Sequence, residues 1–189
     1  MGYIVIYERE TGKVLQCVDI PAEYYENAAR DNAFIKIDSD TFKEATTHLG
    51  YVLHGNWCRV PDSPSAAHEY DYTTHVWVDK RTLEEVKDTK WEAIKLERSK
   101  VEFSGFEFEG NTYDSDQVSQ GRIVGAASAG IDQVWTLANN ATVELTALQL
   151  QQLYATLQAH IASVHERGRI ARQVIFDAET KEEVEDIQL

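Results

Sequence analysis

The sequence predicts an α+β fold, with a small N-terminal β-rich module followed by a helical module that holds two β-hairpins and a long C-terminal helix. Three observations predict it. Short apolar runs separated by turns fill residues 1–60, helix-capping pairs and helical periodicity prevail over residues 82–189, and the pattern stops at the proline-rich segment 61–67. We therefore predict a docking module over 1–60, a linker and bridging strand over 61–81, and a C-terminal domain over 82–189.

The N-terminal module is expected to consist mainly of antiparallel strands. Ile4–Tyr7 alternates, and Val14–Val18 follows after a short glycine-containing turn, which is typical of a β-hairpin. Phe34–Ile37 predicts a further strand. Tyr51–Val60 predicts a second hairpin that turns at Gly55 and Asn56.

Capping residues indicate where the helices of the C-terminal module begin. Thr82 and Glu85 have the spacing of a capping box, in which each side chain accepts a hydrogen bond from the other residue's backbone N–H. Asp114 or Ser115 is expected to cap a shorter helix that ends near Gly130. Two predicted hairpins interleave with these helices. They are Phe106–Tyr113, turning at Gly110 and Asn111, and Val134–Leu137 with Thr142–Leu145.

The C-terminal part predicts one long amphipathic helix. Thr146 and Gln149 form a second capping box. The apolar stripe that follows comprises Leu150, Leu153, Leu157, Ile161 and Val164, at the spacing of one helix face. Gly168 continues this register and is expected to be a close-packing point, although a helix break there stays open because glycine disfavours helix interiors. Because such a helix would outreach a domain of this size, we expect part of the stripe, at Leu157, Ile161 and Val164, to be exposed and to mediate self-association.

Charge and composition exclude several classes of function. The chain of 189 residues has 18 Lys and Arg against 32 Asp and Glu, a formal net charge of −14. Binding to a phosphate backbone or to anionic lipid needs a basic surface, so neither nucleic acid nor membrane is an expected partner. Cys17 and Cys58 are too few for a disulfide framework, which favours a reducing cytoplasm or a particle assembled there.

No motif for catalysis or for cofactor binding is complete. His160 and His165 lie five residues apart, whereas paired ligands on one helix face lie three or four apart. His54 and Cys58 lack the further ligands of a tetrahedral site. Asp114–Asp116 resembles the start of a calcium loop but lacks its later glycine and glutamate. We therefore expect no metal, no cofactor and no enzymatic activity.

Paired tyrosines are the candidate binding residues of the first part of the chain. Tyr24 and Tyr25 lie in a segment that could be a short helix or a loop, and Tyr70 and Tyr72 lie in a predicted strand beside the linker. Aromatic side chains with little nearby opposing charge are typical of protein interfaces. The interface candidates of the whole chain are Tyr24, Tyr25, Tyr70, Tyr72, Leu157, Ile161 and Val164.

A family resemblance extends over residues 84–187. The segments that carry it are Lys90–Lys95 with Arg98, Phe108–Asp116, Gln120–Gly125, Trp135–Leu137 with Asn139 and Asn140, and Leu145–Leu150 before the helix with His160 and His165. In this order they resemble the uncharacterised C-terminal domain that recurs in tail proteins of tailed bacteriophages, often labelled tail fibre or tail fibre assembly proteins. The resemblance implies a role in the virion or its assembly and supplies no catalytic residue.

The expected function is therefore that of a structural component of a bacteriophage tail. It would act as an adaptor at the baseplate, the tail tip or the fibre attachment site, by docking to other tail proteins and to copies of itself. A tail fibre assembly chaperone is the alternative, and a hydrolase of host surface glycans would need a carboxylate pair that no spacing singles out. The expected location is the virion tail, with the host cytoplasm during assembly.

Overall fold

Strand β1 (Gly2–Tyr7) is the central strand of an antiparallel sheet, between β2 (Val14–Ile20) and β3 (Ala33–Ile37). The computed structural model describes residues 2–189, so Met1, where the predicted N-terminal module begins, lies outside the described residues. The fold is α+β. It divides into a first unit that ends at Arg81 and a second unit, Thr82–Leu189.

Both faces of the three-stranded sheet are covered, because successive side chains of β1 point to opposite sides. Ile4 and Ile6 pack with α1 (Tyr25–Ala29). Val5 packs on the other face with Ala45 of α2 (Ser39–Thr47). The sequence patterns did not predict α2. It begins after Asp38, whose side chain accepts hydrogen bonds from the N–H groups of the first helical turn.

Two hairpins complete the first unit. The first consists of β4 (Gly50–Leu53) and β5 (Asn56–Arg59), and its turn lies at His54 and Gly55, one residue earlier than predicted. Both turn residues have positive φ, 50° and 78°, as a type I′ turn requires. The second consists of β6 (His68–Asp71) and β7 (Val76–Asp79), where a single strand was predicted.

The predicted linker and bridging strand, 61–81, belong to the first unit in the structure. Trp77 on β7 donates its indole N–H to the carbonyl oxygen of Pro61 at 3.1 Å. Tyr70 on β6 packs against Tyr51 of the first hairpin, with ring centroids 5.9 Å apart. These contacts attach the proline-rich segment to the hairpins.

The second unit is organised along one long helix. Its elements are α3 (Leu83–Glu102), β8 (Phe106–Phe108), β9 (Asn111–Tyr113), α4 (Gln117–Ala129), β10 (Gln133–Thr136), β11 (Thr142–Leu145), α5 (Ala147–Asp177) and α6 (Lys181–Glu185). Capping boxes at Thr82, Thr146 and Thr180 start α3, α5 and α6. The first two confirm predictions.

Helix α5 has partners along both halves. Its first half packs Leu150, Leu153 and Leu157 into a core with α4 and the two hairpins. Its second half packs Ala171 and Ile175 with residues of α3 and α6. The expectation of an exposed stripe is therefore wrong for Leu157 and Val164, which have no exposed surface, whereas Ile161 is half-buried.

The shorter elements of the second unit differ from the predictions by one or two residues. The β8–β9 turn lies at Glu109 and Gly110, which both have positive φ, one residue before the predicted turn. Asp116 caps α4, instead of the predicted Asp114 or Ser115. The helix ends at Gly130, as predicted, and this glycine adopts the left-handed conformation. Ser115 is not the cap because it is fully buried: its Oγ accepts from the Gly105 N–H at 2.8 Å and donates to the Glu102 carbonyl at 2.5 Å.

Candidate functional site

The predicted tyrosine pairs are only partly exposed. Tyr24 is 51% exposed, but its neighbour Tyr25 is buried against Phe34, with ring centroids 5.6 Å apart. Tyr70 is 7% exposed, and its ring meets that of Tyr72 edge-on at 5.1 Å. As interface candidates, Tyr25 and Tyr70 are therefore corrected to core residues, since the sheet and the hairpins cover them. Tyr24 and Tyr72 retain exposed surface.

Burial also affects the chemistry of Tyr70. Loss of hydration, followed by its hydrogen bond with Tyr51, raises the pKa of Tyr70 to about 12. The phenol therefore stays neutral at physiological pH. This side chain acts as a packed, hydrogen-bonded core group.

Both histidines of α5 contact the same residue, Glu102, although they lie five residues apart in the sequence. His160 Nε2 lies 3.3 Å from the Glu102 carbonyl oxygen, and His165 Nε2 lies 3.1 Å from a Glu102 carboxylate oxygen. Both reach Glu102 because it is the last residue of α3, which runs antiparallel to the second half of α5 and ends between the two histidines. The arrangement joins two helices. Among residues 2–189, no three or more His, Cys, Asp and Glu side chains cluster as a metal site.

A groove of about 580 Å³ runs between α4 and β10 in the second unit. One wall consists of consecutive residues of β10 and its end, Gln133–Leu137. The other wall comes from α4, at Ser119, Arg122, Gly125 and Ala126. Asp114 and Asn140 also line it. Its volume lies within the range of about 300–1,000 Å³ that is usual for binding clefts.

The β10 wall is an unpaired strand edge. The sheet of β10 and β11 has two strands, so within the described residues no strand pairs with the other edge of β10. The Leu137 N–H donates to the Ala141 carbonyl at 2.8 Å, and Trp135 lies opposite Val143. Because hydrogen-bonded pairs alternate in an antiparallel ladder, Val134 and Thr136 direct their backbone N–H and C=O groups away from β11.

The α4 wall is open because glycine replaces side chains there. An added Cβ on Gly125 would meet no atom within 4 Å, and the same holds for Gly121 one turn earlier, which does not line the groove. Arg122 supplies a cation to the wall. At the start of the helix, hydrogen bonds from Ser119 hold the pKa of Asp116 below its usual range, and Arg122 adds a smaller effect.

The residues of this groove were not among the predicted site residues. The β10–β11 hairpin and the helix that ends at Gly130 were each predicted, but the contact between them was not. The available signal was a pair of glycines four residues apart in a helix followed directly by a short hairpin, since that spacing places both on one side of the helix.

Comparison with known proteins adds one finding. A family model described as "Domain of unknown function (DUF4376)" matches residues 85–188, more than half of the chain. No curated protein and no solved structure matches the chain. No helix within residues 2–189 combines the length and apolar character that crossing a membrane requires.

Proposed function

The chain belongs to the DUF4376 family. We propose that it is a structural docking protein of a bacteriophage tail. Its position would be the baseplate, the tail tip or the fibre attachment site. The resemblance of residues 84–187 to the C-terminal domain of phage tail proteins supports the proposal, and the family match covers nearly the same residues, 85–188. Those residues also fall within one compact unit, Thr82–Leu189.

The observation that carries the docking role is the groove between α4 and β10. A docking protein needs a surface that is formed before the partner arrives, because ordering a flexible surface on binding weakens affinity. Here a strand edge with unpaired backbone groups lines an open cleft beside a helix that has glycine at its surface. Exposed strand edges readily bind other polypeptides.

The proposed partners are other tail proteins and copies of the chain, without nucleic acid, membrane or cofactor. Self-association is supported by the symmetry of tail assemblies that the resemblance implies. It no longer rests on the α5 stripe, because Leu157 and Val164 are buried within the unit. The proposed location is the virion tail, after assembly in the host cytoplasm.

Quantitative mass spectrometry of virions purified from cells that produce the protein tests this proposal. Stoichiometric presence in tails is expected. Absence from virions together with cross-linking to fibre proteins in the producing cells would instead favour the alternative, an assembly chaperone. Absence from virions and from every complex that contains an identified tail protein would contradict both.

A further inference from the structure

We infer that the groove binds an extended segment of a partner protein, which adds as a third strand to the outer edge of β10. The inference rests on the proposed docking function and specifies how the partner is held. Strand addition is a common mode of peptide recognition, in which main-chain hydrogen bonds give affinity and side-chain pockets give specificity.

The outer edge of β10 has the hydrogen-bonding pattern of a strand that lacks a partner. The outward residues Val134 and Thr136 present two N–H donors and two C=O acceptors to the groove, in the alternating order that an added antiparallel or parallel strand matches. No hydrogen bond to another residue engages these groups within residues 2–189. The groove follows the full length of β10, four residues or about 13 Å.

The opposite wall of the groove is open at Gly125, where the helix contributes no side chain and nothing lies within 4 Å of an added Cβ. A helical partner uses its backbone N–H and C=O groups within itself and would leave those of Val134 and Thr136 unpaired. An extended strand pairs with these groups, and small side chains facing Gly125 would use the open space. The groove therefore suits an extended segment better than a helix.

The charge of the second unit favours a neutral or basic segment over an acidic one. Residues 82–189 carry 10 Lys and Arg against 19 Asp and Glu. An acidic segment, including one from a second copy, is repelled by this unit, so copies of the chain are expected to associate through another surface. A neutral or basic segment is complementary to the charge of the unit as a whole, while the groove itself holds one carboxylate, Asp114, and one cation, Arg122.

Two pairs of matched variants test the inference on the full-length protein. Val134→Pro removes an N–H that faces the groove, and Glu144→Pro removes the equivalent outward N–H of its cross-strand partner on the opposite edge. Gly125→Leu fills the groove, whereas Gly121→Leu adds the same side chain one turn away. Neither added Cβ meets an atom of the folded chain within 4 Å.

The probe is a displayed library of random peptides, selected on the wild-type protein and measured by fluorescence anisotropy. We expect selected peptides to contain few acidic residues. Their affinity should fall about tenfold or more with Val134→Pro and with Gly125→Leu, and stay within twofold with the two control variants. Amide signals of Val134 and Thr136 should shift in NMR spectra and exchange more slowly when peptide is bound.

Failure to enrich any peptide over the Gly125→Leu protein would overturn the inference, provided circular dichroism shows both proteins folded. Equal losses in test and control variants would overturn it as well. The result is separable from the proposed function. If tail proteins identified in virions bind Gly125→Leu as tightly as wild type, the docking role stands and strand addition does not.

Discussion

Arg98 of α3 lies across Gly168 of α5, so closely that an added Cβ on Gly168 would stand 2.9 Å from the Arg98 Cδ. Gly168 is buried in the middle of a continuous helix of 31 residues. The glycine therefore serves helix packing, as the sequence analysis expected, and does not end the helix.

This contact predicts opposite effects of alanine at two helical glycines. Gly168→Ala should destabilise the second unit by about 1 kcal/mol, because displacing Arg98 costs about 1–3 kcal/mol and the helix propensity of alanine offsets only about 1 kcal/mol of that cost. Gly121→Ala, with open space around the added methyl, should stabilise it by about 1 kcal/mol through helix propensity. Denaturant unfolding followed by circular dichroism measures both. In an Arg98→Ala background, Gly168→Ala should no longer lower the free energy of unfolding. If it still does, the destabilisation comes from a contact other than the one with Arg98.

Ser115→Ala should cost about 1–3 kcal/mol of unfolding free energy. Its buried hydroxyl bonds Gly105 and Glu102, and its removal leaves the Gly105 N–H without that acceptor. Ser128→Ala is the matched control, because its exposed hydroxyl donates only within its own helix, to Val124. That variant should stay within about 0.5 kcal/mol of wild type in the same urea titration. Equal effects at the two serines would contradict the bridging role.

Tyr70 predicts a loss of stability at alkaline pH. Its pKa in the folded protein is about 12, against an ordinary value of 10.0. The folded state therefore keeps a proton that the unfolded state releases, so the stabilisation is complete below pH 10 and is lost as pH rises toward about 12. The free energy of unfolding, measured by urea titration at several pH values across this interval, should fall more steeply for wild type than for Tyr70→Phe. Tyr24→Phe, at an exposed tyrosine, should keep the wild-type slope, and an unchanged slope in Tyr70→Phe would refute the assignment.

Leu157→Ala should destabilise the second unit by about 2–5 kcal/mol, because it opens a cavity in a fully buried cluster. Leu148→Ala, on the same helix but 64% exposed, should be close to neutral. Calorimetry can follow this unfolding. Light scattering should show the oligomeric state unchanged in Leu148→Ala. A Leu157→Ala protein as stable as wild type would mean that the apolar stripe of α5 is not part of the hydrophobic core.

Sequence predictions that depend on residues close together in the chain were more accurate than those that depend on contacts between distant elements. The predicted capping boxes at Thr82 and Thr146 and the predicted helix end at Gly130 depend on residues within one helical turn, and they were confirmed. The β6–β7 turn was missed because His75, without a glycine, adopts the left-handed conformation, with φ 57°. The burial of Leu157 and the groove beside Gly125 depend on elements that only the tertiary fold brings together. The spacing of Gly121 and Gly125 indicated an open side of the helix but not the strand that lies opposite it.

Helix α5 links two separate hydrophobic clusters, one along each half. Each residue of an α-helix advances the side-chain direction by about 100°. Inserting or deleting one residue between Leu157 and Gly168 would therefore rotate one cluster relative to the other and expose half of its apolar surface. The number of residues in this segment therefore fixes the orientation of one cluster relative to the other. Insertions and deletions in natural relatives of this domain should be confined to its turns.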